Sequence, residues 1–257
     1  MYKPKKQLGQ NFLADKNVLN QIVEVANISK KDTVLEIGPG QGSLTYALCQ
    51  KAGKVVAVEK DQKLFEYLKS KIGDLKNLEL VNSDILEFDF DKLAKKYKIV
   101  ANIPYYLTSF LLRKIFSLNN KPSEIILMVQ KEVAERLVAK KGDMNLLAIS
   151  VQIFAKPEIL FYVSHNSFWP KPKVDSAVIK LKVEGKKLRI DEKGFFDLVH
   201  AGFFAKRKML ANNLAKGLNI SKERICGIFR VVGIDLNARA QDLSVENWLE
   251  VFKKINI

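Results

Sequence analysis

The run Asn102-Ile103-Pro104-Tyr105 follows an apolar stretch, Tyr97–Val100, and its residue types suit one kind of chemistry. An exocyclic amine on a nucleobase is a poor nucleophile, because its lone pair is delocalised into the ring. A site that alkylates it needs acceptors for the amine protons and an aromatic face for the base. Asn102 offers a side-chain carbonyl, the Ile103–Pro104 step a stiffened backbone with a carbonyl acceptor, and Tyr105 a stacking surface. The same four residues also read as an ordinary strand-to-helix turn in which Asn and Pro stop the strand. The tetrapeptide does not decide alone.

A second constellation lies upstream. Thr33–Ile37 is a short apolar strand running into Gly38-Pro39-Gly40-Gln41-Gly42, with a helical pattern (Leu44, Ala47, Leu48) behind it. Glycines there let the backbone bend tightly and approach a ligand that a Cβ would exclude. A second strand, Lys54–Val58, ends in Glu59, seventeen residues after Gly42, near the offset expected of an acid that binds ribose hydroxyls. A third, Leu78–Val81, runs into Ser83 and Asp84, and a fourth into Asn102. Four polar strand ends would line one edge of a parallel sheet, where open α/β folds bind ligands. The glycine spacing is not G-x-G-x-x-G, and the acidic Glu36 ahead of it suits a cationic ligand better than a phosphate. S-adenosyl-L-methionine carries an ammonium and a sulfonium, a ribose for Glu59 and an adenine amine for Asp84, and no phosphate. Each acid taken singly also reads as a strand-end or helix-cap carboxylate.

The elements that must position these residues follow from periodicity. A basic arm, residues 1–16, precedes a helix face marked by Val18, Ile22 and Val25. Strands and helices then alternate to about Lys141. Glu124–Val129 reads as a central strand, Lys131–Lys140 as a helix with its charges outside, and Met144–Ala155 as a helix whose apolar stripe packs in the core. Glu132 and Glu135 are read as exposed helix charges rather than catalytic acids. Glu158–Val163 and Val174–Val183 form an expected antiparallel hairpin at the sheet edge, around a loop with Pro170 and Pro172. Glu184-Gly185-Lys186-Lys187 is the expected linker. Beyond it the pattern is helical only, at 194–204, 208–216, 221–231 and 245–254.

With these motifs assembled, the chain closely resembles the small-subunit (16S) rRNA adenine N6,N6-dimethyltransferases, the KsgA-type enzymes, over nearly its whole length. The resemblance is carried by Leu8-Gly9-Gln10-Asn11-Phe12-Leu13, Glu36–Gly42, Glu59, Asp84, Asn102–Tyr105 and Val129–Arg136. It continues through Phe168-Trp169-Pro170-Lys171-Pro172-Lys173-Val174-Asp175-Ser176, Phe203-Phe204-Ala205-Lys206-Arg207-Lys208 and Arg239-Ala240-Gln241-Asp242-Leu243. One departure is visible: many members have a proline two or three residues after the Thr-Ser pair, whereas here Thr108-Ser109 is followed by Phe110. The resemblance implies a Rossmann-like α/β methyltransferase fold, a mostly parallel sheet with an antiparallel edge hairpin, over residues 1–185. A small helical rRNA-recognition domain would occupy 186–257. It implies S-adenosylmethionine contacts from Asn11, Leu13, Gly38, Gly40, Glu59, Asp84 and Asn102. Asn102, Pro104 and Tyr105 would face the target amine, with Phe168 closing the other side of a flipped base. The implied substrate is two adjacent adenosines in the 3′-terminal hairpin loop of 16S rRNA, in a late pre-ribosomal 30S particle.

Composition limits the alternatives. The formal charge is +15, divided as 29 basic and 20 acidic residues over 1–185 (+9) and 14 and 8 over 186–257 (+6). A broad positive field suits a phosphate backbone, and a lysine-rich solvated surface is the plainer reading. Basic residues interleaved with aromatics at 168–173 and 203–208 favour the first. No apolar run approaches a membrane span and the N-terminus lacks a signal-peptide core, so a cytoplasmic monomer is expected. Cys49 and Cys226 read as reduced, buried thiols, and the isolated His165 and His200 give no metal cluster. Two rivals stay open. One is a large-subunit rRNA methyltransferase of the macrolide-resistance kind; the other is an RNA-binding assembly factor without turnover.

Overall fold

Short runs of β-branched and aliphatic residues, each stopped by a polar residue or a glycine, form the strands. In chain order these are β1 (Phe12–Leu13), β2 (Thr33–Ile37), β3 (Lys54–Glu59), β4 (Leu78–Asn82), β5 (Lys98–Asn102), β6 (Glu124–Gln130), β7 (Ala155–Val163), β8 (Phe168–Trp169) and β9 (Ser176–Val183). The structure is a computed structural model that describes residues 4–5, 9–184 and 190–255. The expected linker lies, from Gly185 on, outside the described residues. The described chain divides into two compact units. One holds the residues up to Glu135 with those from Ala155 to Glu184; the other holds Arg136–Phe154 with those from Ile190 on.

In the first unit the seven-stranded sheet has the order β4-β3-β2-β5-β6-β9-β7. β4, β3, β2, β5 and β6 run parallel, while β9 and β7 are antiparallel. This is the expected α/β arrangement with an antiparallel edge. β6 is apolar on both faces because both are covered, and its five residues Ile125–Val129 are all buried. The connecting helices are α1 (Lys16–Val25), α2 (Ser43–Lys51), α3 (Gln62–Ile72) and α4 (Thr108–Ser117). Ile22, Leu44 and Leu48 share a core with Val34, Val100, Ile126 and Val178. Asp15 and Asp61 cap α1 and α3, each accepting from the N–H two residues on at 2.9 Å, which fixes where those helices begin.

A separate two-stranded ribbon pairs β1 antiparallel with β8, Phe12 opposite Trp169 and Leu13 opposite Phe168. Residues 12–13, assigned to the arm, are therefore a strand. The ribbon ties the N-terminal motif to the Phe168–Ser176 motif.

The second unit is helical. Past α5 (Lys131–Leu137), which crosses the boundary, it contains α6 (Leu146–Gln152), α7 (Glu192–Phe203), α8 (Leu210–Leu218), α9 (Lys222–Val232) and α10 (Val245–Ile255). Ala148 and Ile149 of α6 share its core with Phe195, Leu214, Phe229 and Trp248. The apolar stripe at 144–154 does pack in a core, but that core is the helical unit's. A single boundary at 185 is accordingly corrected. The tail motif explains the attachment, since Gln241 donates to the Gly142 carbonyl at 3.0 Å and its own carbonyl accepts from Gly142 and Met144 N–H. Leu243 is buried beneath it. Among the described residues no helix is long and apolar enough to cross a membrane.

Candidate functional site

The carboxyl ends of β2, β3, β4 and β5 open onto one cavity of about 200 Å³. Its lining includes Asn11, Leu13, Gly38, Gly40, Glu59, Asp84, Asn102, Pro104, Tyr105 and Phe168, so all the expected site residues meet there. Gly38, Gly40 and Gly42 have φ of 65°, 59° and 83°, the left-handed region that glycine enters without strain. At Gly40 space matters as well, because a Cβ would lie 2.9 Å from the Phe12 ring.

Glu59 is buried where β3 ends. Its Oε1 accepts from Asp61 N–H at 2.8 Å and its Oε2 from Gly40 N–H at 3.4 Å. Burial pushes its pKa up, and these two N–H groups hold it partly back. Each oxygen keeps a lone pair for a further donor. Asp84 is engaged on both oxygens, Oδ1 accepting from Leu86 N–H at 2.9 Å and Oδ2 pairing with Lys60 at 2.6 Å. Burial would raise the Asp84 pKa, but Lys60 and the Leu86 N–H outweigh it and hold the group below its ordinary value.

Glu36 behaves differently from expectation. It is fully buried, its Oε2 makes no hydrogen bond, and Thr45 is near enough to influence it without a well-formed bond. Burial, with Glu59 adding, pushes its pKa up to about 8, so at neutral pH it is mostly the neutral acid and no fixed charge. Between its ordinary value of 4.5 and about 8 the native state then binds more protons than the unfolded chain. Stability is full below that window and falls as pH rises through it, by at most ~1.4 kcal/mol per pH unit from this group. Urea titrations at several pH values should show this decline flattened in Glu36→Gln. An identical slope in the variant would place its origin elsewhere.

The Asn102 side-chain NH2 donates to the Asn11 backbone carbonyl at 3.4 Å, which turns Oδ1 into the free acceptor. The Pro104 carbonyl accepts from Leu107 N–H at 2.9 Å, closing the turn that leads into α4. The Ile103 carbonyl takes no part in this turn. The Tyr105 hydroxyl shares a hydrogen bond of 2.7 Å with Ser176, buried at the start of β9, so the ring is fixed at both ends. Phe168 lines the cavity but is itself a buried core residue, held by the β1–β8 ribbon, while its neighbour Trp169 is exposed. His165 is not isolated: its Nδ1 pairs with Asp175 at 2.7 Å, which also accepts from His165 N–H and closes the base of the Phe168 loop.

Sequence reasoning gave no role to Lys5, whose ammonium pairs with Asp61 at 2.6 Å, or to Gln10, which donates to the same carboxylate. A contact between an aperiodic arm and a helix cap leaves no local signal. Cys49 is buried, and burial with Glu36 raises its pKa to about 11; Cys226 is only half-buried. Among the described residues no group of His, Cys, Asp and Glu could hold a metal ion.

In the other unit, Asn213 donates to the carbonyls of Gly202 (2.7 Å) and Ala205 (3.0 Å), pinning the segment that carries Lys206, Arg207 and Lys208. All three cations are exposed. Phe203 stacks on Trp248 at 5.8 Å, whereas Phe204 is 81% exposed, so only the second of the paired aromatics is free to meet a ligand.

The cavity asks for a particular ligand. Two carboxylates, Glu59 and Asp84, and the mostly neutral Glu36 line it against one cation among the described residues, Lys60, and the glycine turn lets a ligand approach the backbone closely. A nucleoside with a cationic tail and no phosphate fits this set.

Known proteins agree with that chemistry. Residues 1–256 match the sequence model of the ribosomal RNA adenine dimethylases. The ribosomal RNA small subunit methyltransferase A of Dehalococcoides mccartyi (strain CBDB1) is 43% identical over 251 residues, 96% of this chain and 86% of that protein. Its namesake in Fusobacterium nucleatum is 41% identical over 258 residues, 98% and 97% of the two chains. Among solved structures, a dimethyladenosine transferase from Plasmodium falciparum superposes with a TM-score of 0.83 at 27% identity, covering 95% of this chain and 97% of that one. The 23S rRNA methyltransferase ErmE gives 0.78 at 25%, covering 96% and 100%. A match across the whole chain, with the motif residues gathered in one cavity, settles the relationship: this chain belongs to the ribosomal RNA adenine dimethylase family.

Proposed function

We propose that the chain dimethylates N6 of two adjacent adenosines in the 3′-terminal hairpin loop of 16S rRNA, using S-adenosyl-L-methionine. It acts as a monomer on an assembling small-subunit particle in the cytoplasm. The observation that carries this reading is the Asn102 carboxamide, oriented by Asn11 so that its oxygen is free to accept at the cavity wall. Small-subunit relatives at 41–43% identity, against 25% for ErmE, support the small-subunit site over the large-subunit one. The complete set of Glu59, Asp84, Asn102 and Tyr105 supports turnover over mere binding.

Glu59 would hold the ribose hydroxyls of the methyl donor, Asp84 the adenine amine, and the Gly38–Gly40 turn its amino-acid end. Bound there, S-adenosylmethionine supplies a methyl group on a positively charged sulfur, which departs as a neutral thioether. No strong base is then required, and alignment and exclusion of water supply most of the effect. Asn102 Oδ1 and the Ile103 carbonyl would accept hydrogen bonds from the amine N–H groups and draw the nitrogen towards tetrahedral geometry, and the methylated nitrogen then releases one proton to water. Tyr105, steadied by Ser176, stacks on the flipped base. The basic segment 206–208, with Phe204, meets the RNA backbone.

Glu59→Ala should weaken binding of S-adenosylhomocysteine by ~1.5–3 kcal/mol, the scale of hydrogen bonds to a charged group. Calorimetry measures it directly. An unchanged affinity would reduce Glu59 to a strand-end carboxylate.

A further inference from the structure

The rim of the cavity carries a feature that the reaction as described does not use. Tyr105 faces the cavity, but the next turn of chain leads outward through Tyr106, which is 55% exposed, to Phe110, 59% exposed. Arg113 follows on the same side, exposed and with no ion pair among the described residues. Phe110 and Arg113, three residues apart, share one face of α4, and Tyr106 lies in the 3-10 turn that leads directly into it. The opposite face, Leu107, Leu111, Leu112 and Ile115, is buried. Nothing in the helix pattern demands aromatics outside, since polar residues would satisfy the amphipathic requirement better.

We propose that Tyr106 and Phe110 form a stacking platform for the single-stranded nucleotide beside the target base, with Arg113 meeting its phosphate. The platform presupposes the reaction proposed above. Three observations favour RNA as the occupant. The platform is continuous with the cavity, because Tyr106 lines it and packs over Gly9, where a Cβ would lie 3.4 Å from its ring. It is two rings wide, the footprint of one or two bases rather than of a protein interface. An exposed cation, Arg113, stands beyond Phe110, and at the other end Tyr106 shares the cavity lining with Lys60, which is paired with Asp84 at 2.6 Å. A base flipped onto Tyr105 pulls its neighbour to the rim, and an adenosine parked there is the next substrate of an enzyme that modifies an adjacent pair.

The test uses the full chain and Phe110→Ala, with Phe110→Tyr as the conservative control. Single-turnover methylation of small-subunit particles should reach half-saturation at about 10-fold higher particle concentration in Phe110→Ala, within the range of one base–aromatic stack. Phe110→Tyr should restore it, and both variants should bind S-adenosylhomocysteine as the wild type does. In a hairpin RNA carrying 2-aminopurine next to the target, the wild type should quench its fluorescence and Phe110→Ala should not. Half-saturation and quenching unchanged in an active Phe110→Ala would overturn the platform and leave the reaction intact. A wild type that methylates no adenosine in the particles would remove the reaction itself, and the platform with it. If sedimentation shows a dimer that Phe110→Ala dissociates, the face belongs to a second copy of the chain and the proposal is overturned.

Discussion

Asn102→Ala is expected to lower kcat by roughly 10²-fold or more while changing S-adenosylhomocysteine affinity only slightly. The effect is concentrated in turnover because the carboxamide oxygen gains most when the amine nitrogen begins to form its new bond and its protons become more acidic. The structure supplies the preorganisation that such an effect requires. Asn102 stands at the last position of β5, pinned in register opposite Met128 of β6, and its NH2 is committed to the Asn11 carbonyl. With one N–H held there, the carboxamide is oriented and its oxygen is left to accept from substrate. Equal kcat in variant and wild type, measured in single turnovers on particles, would remove Asn102 from the chemistry.

Reversing Lys206, Arg207 and Lys208 to glutamate is expected to weaken binding to small-subunit particles by at least about 10²-fold at 0.1 M salt. Every phosphate left without its cation also lowers the salt slope by about 0.9, so removing all three cations lowers it by nearly three. The side chains are exposed and their backbone is held by Asn213, so the charge change leaves the fold in place. Affinity for S-adenosylhomocysteine should stay put, because Glu59 and Asp84 belong to the other unit. A triple variant that binds particles with wild-type affinity and slope would send the search for the RNA surface elsewhere. One that unfolds would make the run structural. Truncation at 186 is a poorer experiment, because it would strip the helical core from Ala148 and Ile149.

The parallel sheet and its site were legible in sequence because each strand is an apolar run stopped by a polar residue, and the glycine turn, Glu59, Asp84 and Asn102 occupy those stops. What stayed hidden has physical reasons. β1 and β8 are two residues each, too short for any periodicity, so their pairing and the link between Leu13 and Phe168 could not be read. The stripe at 144–154 announces that it is buried but not in which core; Gln241 decides that from about a hundred residues away. Phe203 and Phe204 are neighbours of equal hydrophobicity, and only the helix geometry sends one to Trp248 and the other to solvent. Glu36 reads as a charge until burial is known. The Pro104 carbonyl reads as free until the turn is closed by Leu107.

Dimethylation of the small-subunit hairpin is tested by incubating the purified full chain with S-adenosylmethionine and undermethylated small-subunit particles, then mapping modified nucleosides in both rRNAs by mass spectrometry. The expected product is N6,N6-dimethyladenosine at two adjacent positions in the 3′-terminal hairpin loop of 16S rRNA, lost in Asn102→Ala. Methylation of large-subunit rRNA instead, or none in any particle while S-adenosylhomocysteine still binds, would contradict it.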